Sequence, residues 1–344
     1  MRPRTRSVWQ LAVVLAVLPG ACGERQVRRL TERIRIATSR WPQVVSIDDS
    51  ASARELRRLV RDPAPETAGI VTAVKDVLLH GSVVFGHAGG PEVVGSAVDR
   101  LVGNGEAGIK VAVALINSWR PERVSEYDAQ ITLLLRLVRR VCARSEILDG
   151  WREGLKGGDL VLEAEWWHGL LRATLTEDAP AVVRAVETGG DIGRFYQMSV
   201  EEAGAYIELL STLLESGGEA CEVQYLLATM EREGKRDGRT VVRQVARLRE
   251  WNEMRATAGA AFRVIDVAAA VRMRMVQGDP PKKLAEVSGE VCMVDPLSKT
   301  TFEYRLSEEG RAWISVHRPV AWYWRINETD AGLRWHGLAW LIEP

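Results

Sequence analysis

Reactive and metal-binding side chains are scarce in this 344-residue chain, which has four cysteines and five histidines. Cys22, Cys142, Cys221 and Cys292 are far apart and form no Cys-x-x-Cys pair, which argues against a zinc site. No His-Glu-x-x-His helix and no Gly-x-Ser-x-Gly elbow occurs, so zinc peptidases and serine hydrolases have no local signature here. Charge of one sign is also missing. Forty-six basic residues balance forty-six acidic ones, and no basic stripe exceeds Arg57-Arg58 or Arg139-Arg140 with their neighbours. Neither a global field nor a local one favours nucleic acid, which is excluded as a partner. Residues 8–18 form an apolar run that falls short of the roughly 20 residues a membrane-spanning helix needs.

What is present begins at the N-terminus. Arg2, Arg4 and Arg6 form a basic segment ahead of that apolar run, and Gly20-Ala21-Cys22-Gly23 supplies small residues after it. This is the layout of a secretory signal over residues 1–22, so export is expected, to the periplasm or the membrane surface of a cell envelope. Without the three arginines of that segment, 43 basic residues face 46 acidic ones. Leu18-Pro19-Gly20-Ala21-Cys22 resembles a bacterial lipobox, which would make Cys22 the point of lipid attachment and anchor the chain to a membrane. Pro19 stands where that motif has an aliphatic residue, with Leu18 one place too early. An ordinary cleavable signal and an uncleaved anchor are the alternatives. An oxidising envelope permits one disulfide among Cys142, Cys221 and Cys292, although buried free thiols fit their spacing better.

From 26 to 276 the pattern is helical, and the fold class expected is mainly α, an irregular antiparallel helical array. Leu30 and Ile34, with Ile36 beside them, are read as a first apolar stripe. Helices follow at 51–60, 67–79, 92–102, 106–119 and 122–144, the last with Ile131, Leu134, Leu135, Val138 and Val141 on one face. Further helices are expected at 159–175, 180–188, 200–214, 221–233 and 240–278. Pro180 is read as opening its helix, and Gly157-Gly158, Gly189-Gly190 and Gly217-Gly218 as breaks. No fixed repeat appears. The character changes after Gly278. Asp279-Pro280-Pro281 stops the long helix, 282–287 allows a short helical turn, and 301–306, Glu308-Glu309-Gly310 and 312–316 read as strand, turn, strand. The domains expected are therefore a helical domain at 24–250 and, at 251–344, a long helix with a small β-hairpin or sheet packed on it and an aromatic tail.

The stretch 262–316 resembles the C-terminal segment of a group of uncharacterised exported bacterial proteins, which is similar in turn to the soluble heads of type II secretion pseudopilins. The residues that carry this are Gly278-x-x-Pro281-x-x-Leu284, Asp295-Pro296, Phe302-x-Tyr304-Arg305 and Gly310-x-x-Trp313-Ile314-Ser315-Val316. The resemblance implies a helix, an extended link and a β-hairpin folded back on the helix. Ser298-Lys299-Thr300 and the His317-Arg318-Pro319 tail depart from the group's pattern, and few oxygen ligands cluster for calcium.

Three features invite a chemical reading. Glu165 and His168 have the Glu-x-x-His spacing of carboxylate-bridged di-metal bundles, yet no second copy exists, and Trp166-Trp167 reads better as a helix-interface pair. Gly86-His87-Ala88-Gly89-Gly90 lacks phosphate-loop spacing. Five of the twelve tryptophans fall between Trp313 and Trp340, so this tail is expected to pack against something. No catalytic residue, cofactor or metal ligand is assigned. The expectation is a non-enzymatic envelope scaffold or protein-interaction module, with Phe302, Tyr304, Trp313, Trp322 and Trp324 as contact candidates. The rival is an envelope hydrolase or carbohydrate-acting enzyme using a carboxylate pair.

Overall fold

The computed structural model describes residues 21–41, 99–118, 121–142, 163–188, 199–236, 242–287, 292–317 and 339–342. Residues 1–20 of the signal-like segment, the helices expected at 51–60 and 67–79, most of the one expected at 92–102, the Gly157-Gly158 and Gly189-Gly190 breaks, His80, His87 and its glycine loop, Trp322, Trp324 and His336 lie outside them. The described chain is mainly helical, with a small antiparallel sheet packed on the last long helix. Its helices are α1 (Ala21–Arg40), α2 (Gly105–Ser118), α3 (Val124–Cys142), α4 (Ala164–Thr188), α5 (Val200–Glu215), α6 (Ala220–Arg236) and α7 (Val242–Val276).

Side-chain bonds between helices show how they run. Val124 N–H donates to Glu177 Oε1 (2.8 Å) and Trp166 Nε1 to Gln130 Oε1 (2.8 Å), so α3 and α4 are antiparallel. Tyr206 Oη donates to Asp178 Oδ2 (2.6 Å) past the middle of α4, and His168 meets Ser216 O (3.1 Å) near its start, so α5 returns antiparallel to α4. Asn252 bonds to Ala220 O while Arg249 pairs with Glu231, which makes α6 and α7 a hairpin. Helix α1 departs from this alternation. Its Arg33–Glu208 (3.1 Å) and Arg40–Glu215 (3.0 Å) pairs advance together along α1 and α5, so these two are parallel.

Local sequence accounts for several boundaries. Ser199 caps α5 in a reciprocal box: its hydroxyl accepts from Glu202 N–H, and the Glu202 carboxylate accepts from Ser199 N–H. Gly278, at φ +79°, ends α7 with bonds from Gly278 N–H to Met275 O and from Asp279 N–H to Arg274 O (3.0 Å each). That pattern needs a left-handed residue, which glycine supplies without steric cost. Pro180 does not open a helix as expected. It lies inside α4, which runs unbroken from Ala164 to Thr188. The ring removes one backbone donor, but Pro180 is on the exposed side beside Thr176 and Glu177, where water can serve the freed carbonyl.

Helix α7 is the spine. From Ala256 to Ala270 it is buried on nearly every side, packed by α3, α6, the 3₁₀ turn Leu284–Val287 and the sheet. Runs of alanine, including Ala256, Ala258, Ala260, Ala261, Ala268, Ala269 and Ala270, let neighbours approach closely. The sheet has the order β1 (Glu303–Leu306), β2 (Ala312–Ser315), β3 (Ala339–Ile342), all antiparallel, with Tyr304, Ile314 and Trp340 in one row. Ala312, Ile314 and Val316 alternate inward and join Phe302, Leu284 and Val287 in the same core as the helices.

Candidate functional site

The densest gathering of chemically capable side chains lies under the four-residue turn between α5 and α6, where α4, α6, α7 and the C-terminal module meet. Gly218 makes this turn possible. Its φ is +73°, and a Cβ there would sit 3.1 Å from Ala164 of α4 and 3.5 Å from His168 Nε2. Its carbonyl points inward to Arg255 Nη2 at 2.7 Å.

Arg255, on α7, is fully buried. Nε donates to Asn252 Oδ1 (2.8 Å), Nη2 to Gly218 O, and the guanidinium lies 4.4 Å from the centroid of the buried Trp167 ring. Asn252 is itself held through its amide to Ala220 O (2.8 Å). Among the described residues no carboxylate bonds to the cation, and burial pushes the Arg255 pKa down to about 9, opposed by the nearby Cys221 sulfur. The stack with Trp167 supplies part of the missing stabilisation. Arg255 Nη1, Trp167 Nε1 and Arg172 Nε find no acceptor among the described residues.

His168 feels the charge of both Arg172 and Arg255. Burial lowers its pKa most; the bond to Ser216 O works the other way, while Arg172 and Arg255 lower it further. A carbonyl only accepts, so Nε2 carries the proton and Nδ1 its lone pair in the neutral ring. At the rim, Lys299 Nζ meets Glu219 Oε2 at 2.9 Å, and Cys221 Sγ lies 3.7 Å from the same oxygen. That ion pair lowers Glu219 and raises Lys299. Lys299 reaches the turn because Asp295 folds the chain behind it. The buried Asp295 carboxylate accepts from Ser298 N–H (2.9 Å) and Oγ (2.6 Å), and Lys299 itself takes φ +58°.

The titratable groups here are two arginines, one imidazole, one thiol and a single lysine–glutamate pair. Acid–base work on a glycosidic bond needs two facing carboxylates, and Glu219 is engaged by Lys299. The locus thus ties the α5–α6 turn, α4, α7 and the C-terminal module at one point. The tryptophans of the Glu-x-x-His segment go to packing: Trp166 bonds to Gln130 and stacks edge-on with Tyr127 (5.4 Å), and Trp167 lies flat on Arg255. Glu165 is exposed while His168 turns to Ser216, and no group of three metal-binding side chains occurs among the described residues.

The contact candidates divide. Phe302 is 4% exposed and packs in the core. Tyr304 is half-buried, with its hydroxyl donating to Pro281 O (2.6 Å), which ties the hairpin to the link after α7. Trp313 is half-buried on β2. Cys22 lies in the first turn of α1, and Cys221 and Cys292 are free thiols. Sequence reasoning did not single out Arg255, Asn252 or Arg172. It also passed over Gly103-Asn104-Gly105-Glu106-Ala107-Gly108, whose glycine spacing matches a dinucleotide fingerprint. The structure places it between helical residues 99–103 and α2, so a helix leads directly into it, and a Cβ at Gly108 would overlap Leu101 O. Its glycines serve a tight helix–helix corner. No family model, curated protein or solved structure matches this chain.

Proposed function

We propose that this chain is an exported bacterial envelope protein, lipid-anchored through Cys22, that acts without catalysis as a scaffold or protein-interaction module. The observation that carries this reading is the way the C-terminal module is built into the helical array. One continuous core runs from α1 to β3. Polar ties reinforce it: Arg263 donates to Val294 O (2.8 Å), Tyr304 to Pro281 O, Arg274 pairs with Asp279 and Glu286, and Lys299 clasps Glu219. A head fixed this firmly suits a body that presents a surface to another protein. The helix, link and hairpin support a relation to pseudopilin heads, and the basic, apolar and small residues of 1–22 support export.

The test is site-specific photo-crosslinking in the native envelope, with the crosslinker at Arg305 on β1 and at the 74% exposed Tyr225 on α6. The expected result is one discrete protein adduct from at least one position, with fatty-acid labelling lost in Cys22→Ala. No adduct from any exposed position would overturn the scaffold reading. So would turnover of a glycan or ester substrate that disappears on changing one acidic residue.

A further inference from the structure

Helix α1 carries six arginines and two glutamates in a chain that is otherwise slightly acidic. Its inner face, Leu30, Ile34 and Ala37, is buried against α4 and α5. The outer face divides along its length. In the second half the arginines are engaged: Arg33 with Glu208, Arg35 with Glu32, and Arg40 with Glu215. In the first half Arg25, Arg28 and Arg29 are exposed and make no ion pair among the described residues. Arg25, Arg29, Glu32 and Ile36 follow helical spacing and share one stripe. Ile36 closes that stripe at its C-terminal end and is 51% exposed, an apolar side chain on the same face as the free arginines.

We propose that this outer face of α1 rests on an anionic lipid bilayer, with Arg25, Arg28 and Arg29 on phosphate headgroups and Ile36 at the acyl boundary. Exposed basic side chains sharing a helix face with an exposed apolar one are what an interfacial helix offers a membrane. The partner is chosen by charge and by position. At 1.5 Å of rise per residue the three arginines lie within about 10 Å of Cys22 along the axis, inside the reach of a negative surface potential. A single acyl chain gives only marginal binding, and a basic patch is the second signal that makes such anchoring stable. The inference rests on the envelope reading only for how the chain reaches the bilayer. The face itself is a property of the folded helix.

The experiment is flotation of the full chain, in a common Arg2→Gln, Arg4→Gln, Arg6→Gln background, with vesicles of phosphatidylglycerol and phosphatidylethanolamine in equal parts, or of phosphatidylcholine alone. The quantity read is the ratio of binding to the two. Any lipid or apolar anchor enters both vesicles alike and cancels, so failure of the anchor lowers both binding constants without changing the ratio. Each arginine near an anionic surface contributes about fivefold, so the parent chain should favour the anionic vesicles roughly a hundredfold at low salt. The triple variant Arg25→Gln, Arg28→Gln, Arg29→Gln should bring the ratio close to one, as should high salt. A control removing three other exposed arginines, Arg232→Gln, Arg305→Gln, Arg311→Gln, should leave it unchanged. The proposal is overturned if the parent chain shows no anionic preference, or if the control loses as much as the triple variant. A photo-crosslinker at Ile36 that captures protein and no phospholipid in native membranes also overturns it.

Discussion

Two adjacent glycines in the α5–α6 turn should respond to the same substitution with opposite signs. At Gly218 the backbone is left-handed, at φ +73°, and an added Cβ would press on Ala164 at 3.1 Å. Holding alanine in that conformation costs about 1–2 kcal/mol. Crowding Ala164, which sits on a helix and cannot retreat far, adds about 1 kcal/mol. Any shift of the Gly218 carbonyl also weakens the 2.7 Å bond to Arg255, which leaves a buried cation with one partner fewer. The total for Gly218→Ala is about 3 kcal/mol of lost stability. At Gly217 φ is not positive, the residue is exposed, and a Cβ would meet only Glu222 Oε2 at 3.6 Å, an ordinary contact. Gly217→Ala should therefore be neutral, or stabilising by about 0.5 kcal/mol through the unfolded chain. Urea unfolding followed by circular dichroism reads both, with the midpoint compared at constant m-value. Equal midpoints for the two variants, or a larger loss at Gly217, would refute the reasoning from backbone sign and the Arg255 tie.

Phe302→Ala should cost about 4 kcal/mol and raise amide exchange across β1 and β2 first, because Phe302 sits in the core that joins the hairpin to α7. Tyr304→Phe, which gives up the bond to Pro281 O, should cost only about 1 kcal/mol by the same urea assay. His168 titrates below its ordinary value of 6.5 in the folded chain. As pH falls below 6.5 the unfolded state takes the proton first, so this histidine's contribution to stability is present above that value and lost below it. His168→Gln should flatten the stability-versus-pH curve just below pH 6.5; an unchanged slope would contradict the burial of the ring. In the native chain the exposed Cys292 should alkylate before the half-buried Cys221, as mass spectrometry of timed maleimide labelling would show.

What the sequence discloses depends on how many sides of an element are buried. Helices covered on one face announce themselves: Leu30 and Ile34 on α1, and the Ile131, Leu134 and Val138 stripe on α3, recur at helical spacing and are all buried. The strand–turn–strand at the C-terminus is equally legible, because Ala312, Ile314 and Val316 alternate inward and Gly310 takes the positive φ of its turn. Pro180 misleads because a proline at the start of a helix and one on the exposed side of a longer helix look the same along the chain. The third strand, Ala339–Ile342, has no hairpin partner in sequence, since its register is with β2 some twenty-five residues earlier. Helix α7 is the hardest case and holds the candidate site. A helix buried all round has no polar face to set the period, and alanine, which fills much of it, signals neither burial nor exposure. An arginine in such a run reads as the solvent side. The folded chain does the reverse with Arg255. It places the cation on Trp167, gives two of its edges to Asn252 and Gly218, and so converts a glycine turn between α5 and α6 into part of the core. None of these partners is near Arg255 in sequence except Asn252. The contact therefore depends on the α4–α5 and α6–α7 hairpins having already closed, which is a tertiary condition that no local pattern can encode.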